Sequence, residues 1–198
     1  MVTAELAPRA LPVDGAYLFP LGGGSDERGR GRMLVPAALR EADATTRFTL
    51  DQVSVLTNRR GALRGFHVAE HPGHTKLITC AAGAVWDVLI DLRQDSPTFR
   101  GVAEVHVEGS DPTAVLCPAG VAHGFLSLTE GSVVLIGVDD NFAGVTEHGF
   151  DALDPALGVR WPLPDDDFIR SARDASAPPL ADLLGSGFRF PSGHPTSG

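Results

Sequence analysis

From residue 47 to residue 138 the chain is a succession of short apolar or alternating runs cut by turn signals. "RFTLDQVSVL" (47–56) contains the alternation of a half-buried strand. "KLITC" (76–80), the "AAG" turn and "AVWDVLIDL" (84–92) form a hairpin pattern. "GVAEVHVEG" (101–109) alternates again and stops at "GSDP". "TAVLC" (113–117) runs into a loop, "PAGVAHGF", and "FLSL" (125–128) and "SVVLIGV" (132–138) flank the turn "TEG". A helix needs apolar residues at a 3.6-residue period, and these runs are too short and too evenly punctuated for it. They predict a mainly β fold, a sandwich or barrel and here a jelly roll, with short C-terminal helices in "DDDFIRSARDA" and "PPLADLLG". The 23 glycines and 15 prolines supply the turns such a fold needs.

Before residue 47 the pattern is mixed. "GGGSDERGRGRM" reads as a loop or a turn between strands, and "PAALREAD" (36–43) as a short helix. With 198 residues, 43% of them hydrophobic, the chain is expected to form a single domain with a sizeable core. The tail "RFPSGHPTSG" is expected to fray.

A net charge of -9 argues against nucleic acid or an anionic membrane as partner, so an anionic ligand would need a local basic pocket. No secretory signal and no apolar run of about 18 residues is present, and a cytoplasmic location is expected. Cys80 and Cys117 fall in strand-like apolar runs and read as free buried thiols. Of the 16 basic residues only Lys76 is a lysine, which marks it as a functional candidate beside the reading of a chance surface lysine.

Lys76 closes the stretch "GALRGFHVAEHPGHTK" (61–76), which also holds Arg64, His67, His71 and His74. Clustered histidines in a small β-barrel suggest a metal site, but that needs imidazoles spaced to reach one ion. His67 and His71 are separated by four positions in a segment broken by proline and glycine, a poor fit. Proton chemistry is the alternative. A histidine works as a general base when a carboxylate fixes its tautomer, an ammonium stabilises an enolate oxygen, and arginines grip phosphate oxygens. On a regular strand, positions i and i+3 face opposite ways, so Arg64 and His67 share a site only if the strand bends or bulges at Gly65.

The same residues carry a family resemblance. "DERG" (26–29), "GALRGFH" (61–67), "KLITCAAGAVWDVLIDLRQDSPTF" (76–99), "PAGVAHGF" (118–125) and "EHGFDALDPALGVRWP" (147–162) resemble, in order, the motifs of the dTDP-4-dehydrorhamnose 3,5-epimerase family, metal-independent cupin nucleotide-sugar epimerases. The resemblance spans roughly residues 20 to 185 and implies a cupin jelly-roll barrel acting without cofactor or metal. The implied activity is epimerisation of a dTDP-4-keto-6-deoxyhexose in deoxysugar biosynthesis. A proton beside the ketone is removed and returned on the opposite face. His67 falls on the base, Asp154 on its carboxylate partner and Lys76 beside the keto oxygen. Arg28 and Arg64 fall on diphosphate-binding positions, and Gln52 and His123 on pocket positions. Plainer readings stand beside these: His123 as a loop histidine bonded to backbone, Asp154 as a turn residue before Pro155, and Arg28 as a solvated charge. The family also implies a homodimer with exchanged N-terminal strands, in which Arg28 serves the partner's pocket.

The chain departs from the family at the proton donor. The one tyrosine, Tyr17, is far from the expected position, which Ile136 occupies, while Phe142 replaces a second family tyrosine. Val68-Ala69, His74 and Met33 are further departures. Three readings follow: epimerisation at carbon 3 or carbon 5 only, another donor (His74, His71 or a water), or binding of a nucleotide sugar without catalysis. A cupin 3,4-ketoisomerase on the same intermediate is a further alternative.

Overall fold

The computed structural model describes residues 8–33, 48–111, 113–139 and 145–190. The helix expected over 36–43, Phe142 and the frayed tail lie outside the described residues. Among the described residues there are thirteen strands: β1 (Arg9–Ala10), β2 (Tyr17–Pro20), β3 (Gly22–Asp26), β4 (Gly29–Met33), β5 (Gln52–Asn58), β6 (Leu63–Ala69), β7 (Lys76–Ala82), β8 (Ala84–Asp91), β9 (Val102–Glu108), β10 (Thr113–Cys117), β11 (Val121–Ser127), β12 (Ser132–Val138) and β13 (Glu147–Gly149). A six-stranded sheet in the order β1-β2-β10-β7-β12-β5 faces a five-stranded sheet in the order β13-β6-β11-β8-β9, and β3 and β4 form a separate hairpin. The pairings are antiparallel throughout, as the jelly-roll expectation requires. No helix among the described residues is long and apolar enough to cross a membrane.

Alternation along the strands divides the apolar side chains into layers. Ile78, Cys80, Val115 and Val134 from the larger sheet meet Val85, Leu89, Val105 and Phe125 from the smaller one and fill the space between them. The other face of the five-stranded sheet is equally apolar. Leu63, Phe66, Val68, Val88 and Ile90 pack there against Phe150, Leu157, Leu180 and Phe190 from the C-terminal segment. Phe66 stacks on Phe150 with ring centroids 5.2 Å apart, a contact of about 0.5–1.5 kcal/mol beyond its buried area. Cys80 and Cys117 are free and buried, and burial pushes the Cys117 thiol up to about 12, which keeps it protonated and inert.

The segment "DLRQDSPT" forms a staple. Asp91 is fully buried, and its carboxylate accepts from Arg93 Nε (2.8 Å) and Nη2 (2.8 Å), Ser96 Oγ (2.5 Å) and Thr98 Oγ1 (2.7 Å). Burial pushes this carboxyl up, but the hydrogen bonds from Arg93, Ser96 and Thr98 outweigh it, and the net shift is downward. Arg93 also donates to Asp14 O (2.7 Å), which ties the N-terminal segment to the end of β8.

Two sequence expectations change. "GGGSDERGRGRM", read as a loop or a turn between strands, is itself two strands, β3 and β4, paired about a tight turn. "GVAHGF" is not a loop either: β11 begins at Val121, so His123 sits mid-strand. Small and aromatic residues in "VAHGF" hide the alternation, because both faces of this strand are buried.

Candidate active site

Gly65 decides where the side chains of β6 point. Opposite β11, His67 pairs with His123 and Arg64 with Phe125, so three steps along β6 span two along β11. That is a β-bulge, and it places Arg64 and His67 on one face, while Leu63, Phe66 and Val68 face the C-terminal layer. Gly65 has φ +111°, and a Cβ there would lie 2.7 Å from Gly124 Cα and 2.8 Å from His123 O. Only glycine permits both the conformation and the close approach of the strands.

Arg64 and His67 line a cleft of about 510 Å³ between the sheets. Lys76, at the start of β7, and Ile136, on β12, line it from the six-stranded sheet, and His123 from the five-stranded one. The sequence candidates Arg64, His67, Lys76 and His123 are therefore brought together. Lys76 is only 6% exposed. Burying an ammonium is costly unless something anionic compensates it, so this lysine is poised for a developing negative charge.

His67 Nε2 donates to Asp174 Oδ1 at 2.8 Å. The carboxylate fixes the imidazole tautomer and leaves the Nδ1 lone pair as the base. Asp174 belongs to α1 (Ala172–Ala175), a single turn capped by Ser171, whose Oγ accepts from Asp174 N at 3.1 Å. Arg170 fixes this turn from outside through Asp151 Oδ1 (2.6 Å) and Asp174 O. Backbone bonds from Leu63 N to Ile169 O (3.0 Å) and from Ile169 N to Gly61 O (2.8 Å) bring the segment alongside β6.

The carboxylate expected to pair with His67 was Asp154, and the structure corrects this. Asp154 caps the 3-10 turn Pro155–Leu157: Oδ1 accepts from Ala156 N (2.9 Å) and Oδ2 from Leu180 N (3.0 Å). Its two oxygens hold the C-terminal segment in place, and the side chain does not line the cleft.

His123 is 5% exposed, and its Nε2 donates to the fully buried Asp87 Oδ2 at 2.7 Å, a side-chain partner and not backbone. A second histidine–carboxylate pair thus stands beside the first, since His123 and His67 are Cα partners. Arg64 Nε donates to Asn58 Oδ1 (2.8 Å), and Asn58 Nδ2 is anchored on Leu56 O (3.0 Å) and Ser132 O (3.2 Å). Asn58 thereby aims the guanidinium. Arg173 and Arg170 add positive charge at the rim, Arg173 being paired with Glu147 at 3.3 Å.

Two candidates fall outside the cleft of their own chain. Arg28 sits on the turn between β3 and β4, paired with Asp26 at 2.5 Å, with its side chain 85% exposed. Gln52 opens β5 with Val138 as its Cα partner, on the strand face shared by Ser54 and Leu56, but does not line the cleft. His71 packs on Phe190 (5.4 Å between centroids) and His74 is 4% exposed; neither lines the cleft, which removes both as replacement proton donors. The three histidines of the 61–76 stretch do not converge: only His67 reaches the cleft.

The sequence reading missed Asp174, Asp87, Asn58 and Arg173. Asp174 carried one local signal, the Ser171-x-x-Asp174 capping pattern, which announces a helix start and says nothing of a histidine 107 residues away.

Residues 10–182 match the family model described as dTDP-4-dehydrorhamnose 3,5-epimerase. A dTDP-4-dehydrorhamnose 3,5-epimerase from Streptomyces griseus is 36% identical over 177 residues, 88% of this chain and 87% of that protein. A dTDP-4-dehydro-6-deoxyglucose 3-epimerase from a Streptomyces species is 37% identical over 172 residues, 86% and 87% of the two chains. Among solved structures, ChmJ, a 3'-monoepimerase from Streptomyces bikiniensis in complex with dTDP-quinovose, superposes with a TM-score of 0.82 at 37% identity, covering 90% of each chain. The rmlC epimerase of Mycobacterium tuberculosis gives 0.85 at 35% identity, covering 92% of this chain and 94% of that one. The matched span contains the bulged strand with Arg64 and His67, the lone lysine and the Asp174 turn, and by this match over most of its length the chain belongs to the dTDP-4-dehydrorhamnose 3,5-epimerase family of nucleotide-sugar epimerases.

Proposed function

We propose that the chain epimerises a dTDP-4-keto-6-deoxyhexose at one of the two carbons beside the ketone. The observation that carries this reading is the His67–Asp174 pair facing buried Lys76 across one cleft. His67 takes the proton from carbon; the electron pair moves into the carbon–carbon bond and onto the keto oxygen, where Lys76 meets it. A positioned base contributes about 10²- to 10⁴-fold. Arg64, aimed by Asn58, and Arg173 offer the diphosphate the local positive charge that a chain of net charge -9 must concentrate. Restriction to one carbon is supported by Ile136, which puts a hydrocarbon where the family's tyrosine is expected.

A single domain over residues 1–198, with its core at about 20–185, belongs to the same proposal, and its cytoplasmic placement is supported by the two free, buried cysteines. A homodimer is part of the same proposal. β5 is an edge strand whose Val53 and Val55 are 46% and 64% exposed, apolar surface that calls for a cover. A neighbouring subunit there would also give Arg28 a cleft to enter.

Proton NMR with dTDP-4-keto-6-deoxyglucose in deuterated water tests the reading, with His67→Ala as control. The expected result is deuterium at one carbon of an inverted product, absent in the variant. Exchange at both carbons overturns the restriction. Bound dTDP-sugar with no exchange overturns catalysis in favour of a binder, and a displaced keto group identifies a 3,4-ketoisomerase.

A further inference from the structure

Inversion needs a proton on the face opposite His67, and the walls of the cleft differ sharply in what they hold. His67, His123, Glu147 and the Asp174 turn belong to the five-stranded side. A proton returned from any of them comes back on the side it left. The opposing wall, from β5, β7 and β12, presents Leu56, Ile136, Ser54 and Lys76. Two of these are hydrocarbon. Lys76 pairs with Val138, two residues along β12 from Ile136, and its ammonium is committed to the keto oxygen. Ser54 is the Cα partner of Ile136 across β5 and β12, and both side chains line the cleft. Such partners hold their Cβ atoms about 4.5–5.5 Å apart on one face. The serine hydroxyl therefore lies one strand away from the position that lost its phenol. His67 and Ser54 line the same cleft of about 510 Å³, which has room for a sugar ring between its walls.

We infer that Ser54 is the catalytic acid of this chain, replacing a tyrosine at position 136. The inference rests on the epimerase reading above. In the return step the Ser54 O–H bond breaks and its proton forms the new C–H bond on the face opposite His67. The enolate electrons restore the ketone, the Ser54 alkoxide takes a proton from water, and the His67 imidazolium gives its proton to water. Nothing is oxidised or reduced. Protonation of carbon restores the ketone, and the alkoxide left on Ser54 is neutralised by water. A serine is nonetheless a weaker acid than a phenol with pKa about 10, so proton return on the far face is the slow step. The imidazolium meanwhile exchanges with solvent and can return a deuteron on the near face. The wild-type enzyme is thus expected to load deuterium into recovered substrate faster than it forms product.

The test follows both signals by NMR in deuterated water for wild type, Ser54→Ala, Ser54→Thr and the double variant Ser54→Ala with Ile136→Tyr. Ser54→Ala is expected to lower product formation about 10²-fold while deuterium still enters recovered substrate at the wild-type rate. Ser54→Thr keeps a hydroxyl and most of the product, and Ile136→Tyr restores product to the Ser54→Ala background. Unchanged product formation in Ser54→Ala overturns the inference and makes Lys76 or a water the donor. Equal loss of exchange and product also overturns it, because Ser54 would then serve binding or folding. If wild type binds the sugar nucleotide and exchanges nothing, the epimerase reading itself has failed, an outcome the Ser54 variants alone cannot produce.

Discussion

His67 and Asp174 stand 107 residues apart in the chain and 2.8 Å apart in space. The carboxylate that looks nearer the histidine's needs in the sequence, Asp154, spends both oxygens on backbone amides. The two aspartates are therefore separable by substitution. Asp174→Asn is expected to lower kcat by about 10²- to 10⁴-fold with little change in KM, because the tautomer and the imidazolium lose their support. Asp154→Ala removes a cap worth about 1–2 kcal/mol and should lower Tm while the folded enzyme keeps its turnover. Steady-state kinetics beside thermal melts of both variants check the pair; a larger kcat loss for Asp154→Ala would reverse the assignment.

Lys76 is buried at 6% exposure and faces the cleft. Lys76→Met keeps most of the volume and removes the charge. It is expected to cost about 10²–10³ in kcat, the scale of losing one preorganised donor at a developing oxyanion. The stability of the variant should match or exceed wild type, because a buried charge and its desolvation cost are gone. Deuterium exchange should fall in step with turnover, since the enolate itself is what Lys76 stabilises.

Asn58 should act on affinity. Its amide fixes the Arg64 guanidinium at 2.8 Å and is itself fixed by two backbone carbonyls. Asn58→Ala frees the arginine to rotate and should weaken dTDP binding by about tenfold, 1.4 kcal/mol, on the scale of one hydrogen bond to a charged group. Calorimetric titration with dTDP measures this directly, and unchanged affinity would mean that Arg64 needs no guide.

Asp91 supplies a pH signature. Its folded carboxyl lies below the unfolded value of about 3.9, because the Arg93, Ser96 and Thr98 donors outweigh burial. A depressed carboxyl stabilises the fold above the unfolded pKa, and that contribution is lost as pH falls through the folded value. Asp91→Asn should cost about 3–5 kcal/mol at neutral pH, since it leaves Arg93 buried beside an uncharged group. Denaturant unfolding across the acid range should show a shallower loss of stability for the variant than for wild type. Parallel curves would show that other carboxylates govern acid unfolding.

What the sequence determined by itself is local. Strands such as Thr113–Cys117 and Ser132–Val138 follow from apolar runs bounded by turn residues, because side chains at a two-residue period need a pleated surface to bury them. Gly65 announced the bulge that lets Arg64 and His67 share a face, since positions three apart on a regular strand cannot. Lys76 stood out in a chain that otherwise uses arginine. Tertiary structure decided what depends on distance in space. Asp174 reaches His67 because Ile169 bonds to Gly61 and Leu63, a contact with no trace in either segment. Asp87 beneath His123 and Ser54 beside Ile136 are matters of strand register. Register is set by pairing partners far along the chain, so a sequence read in order shows the residues of such a site without showing which of them meet.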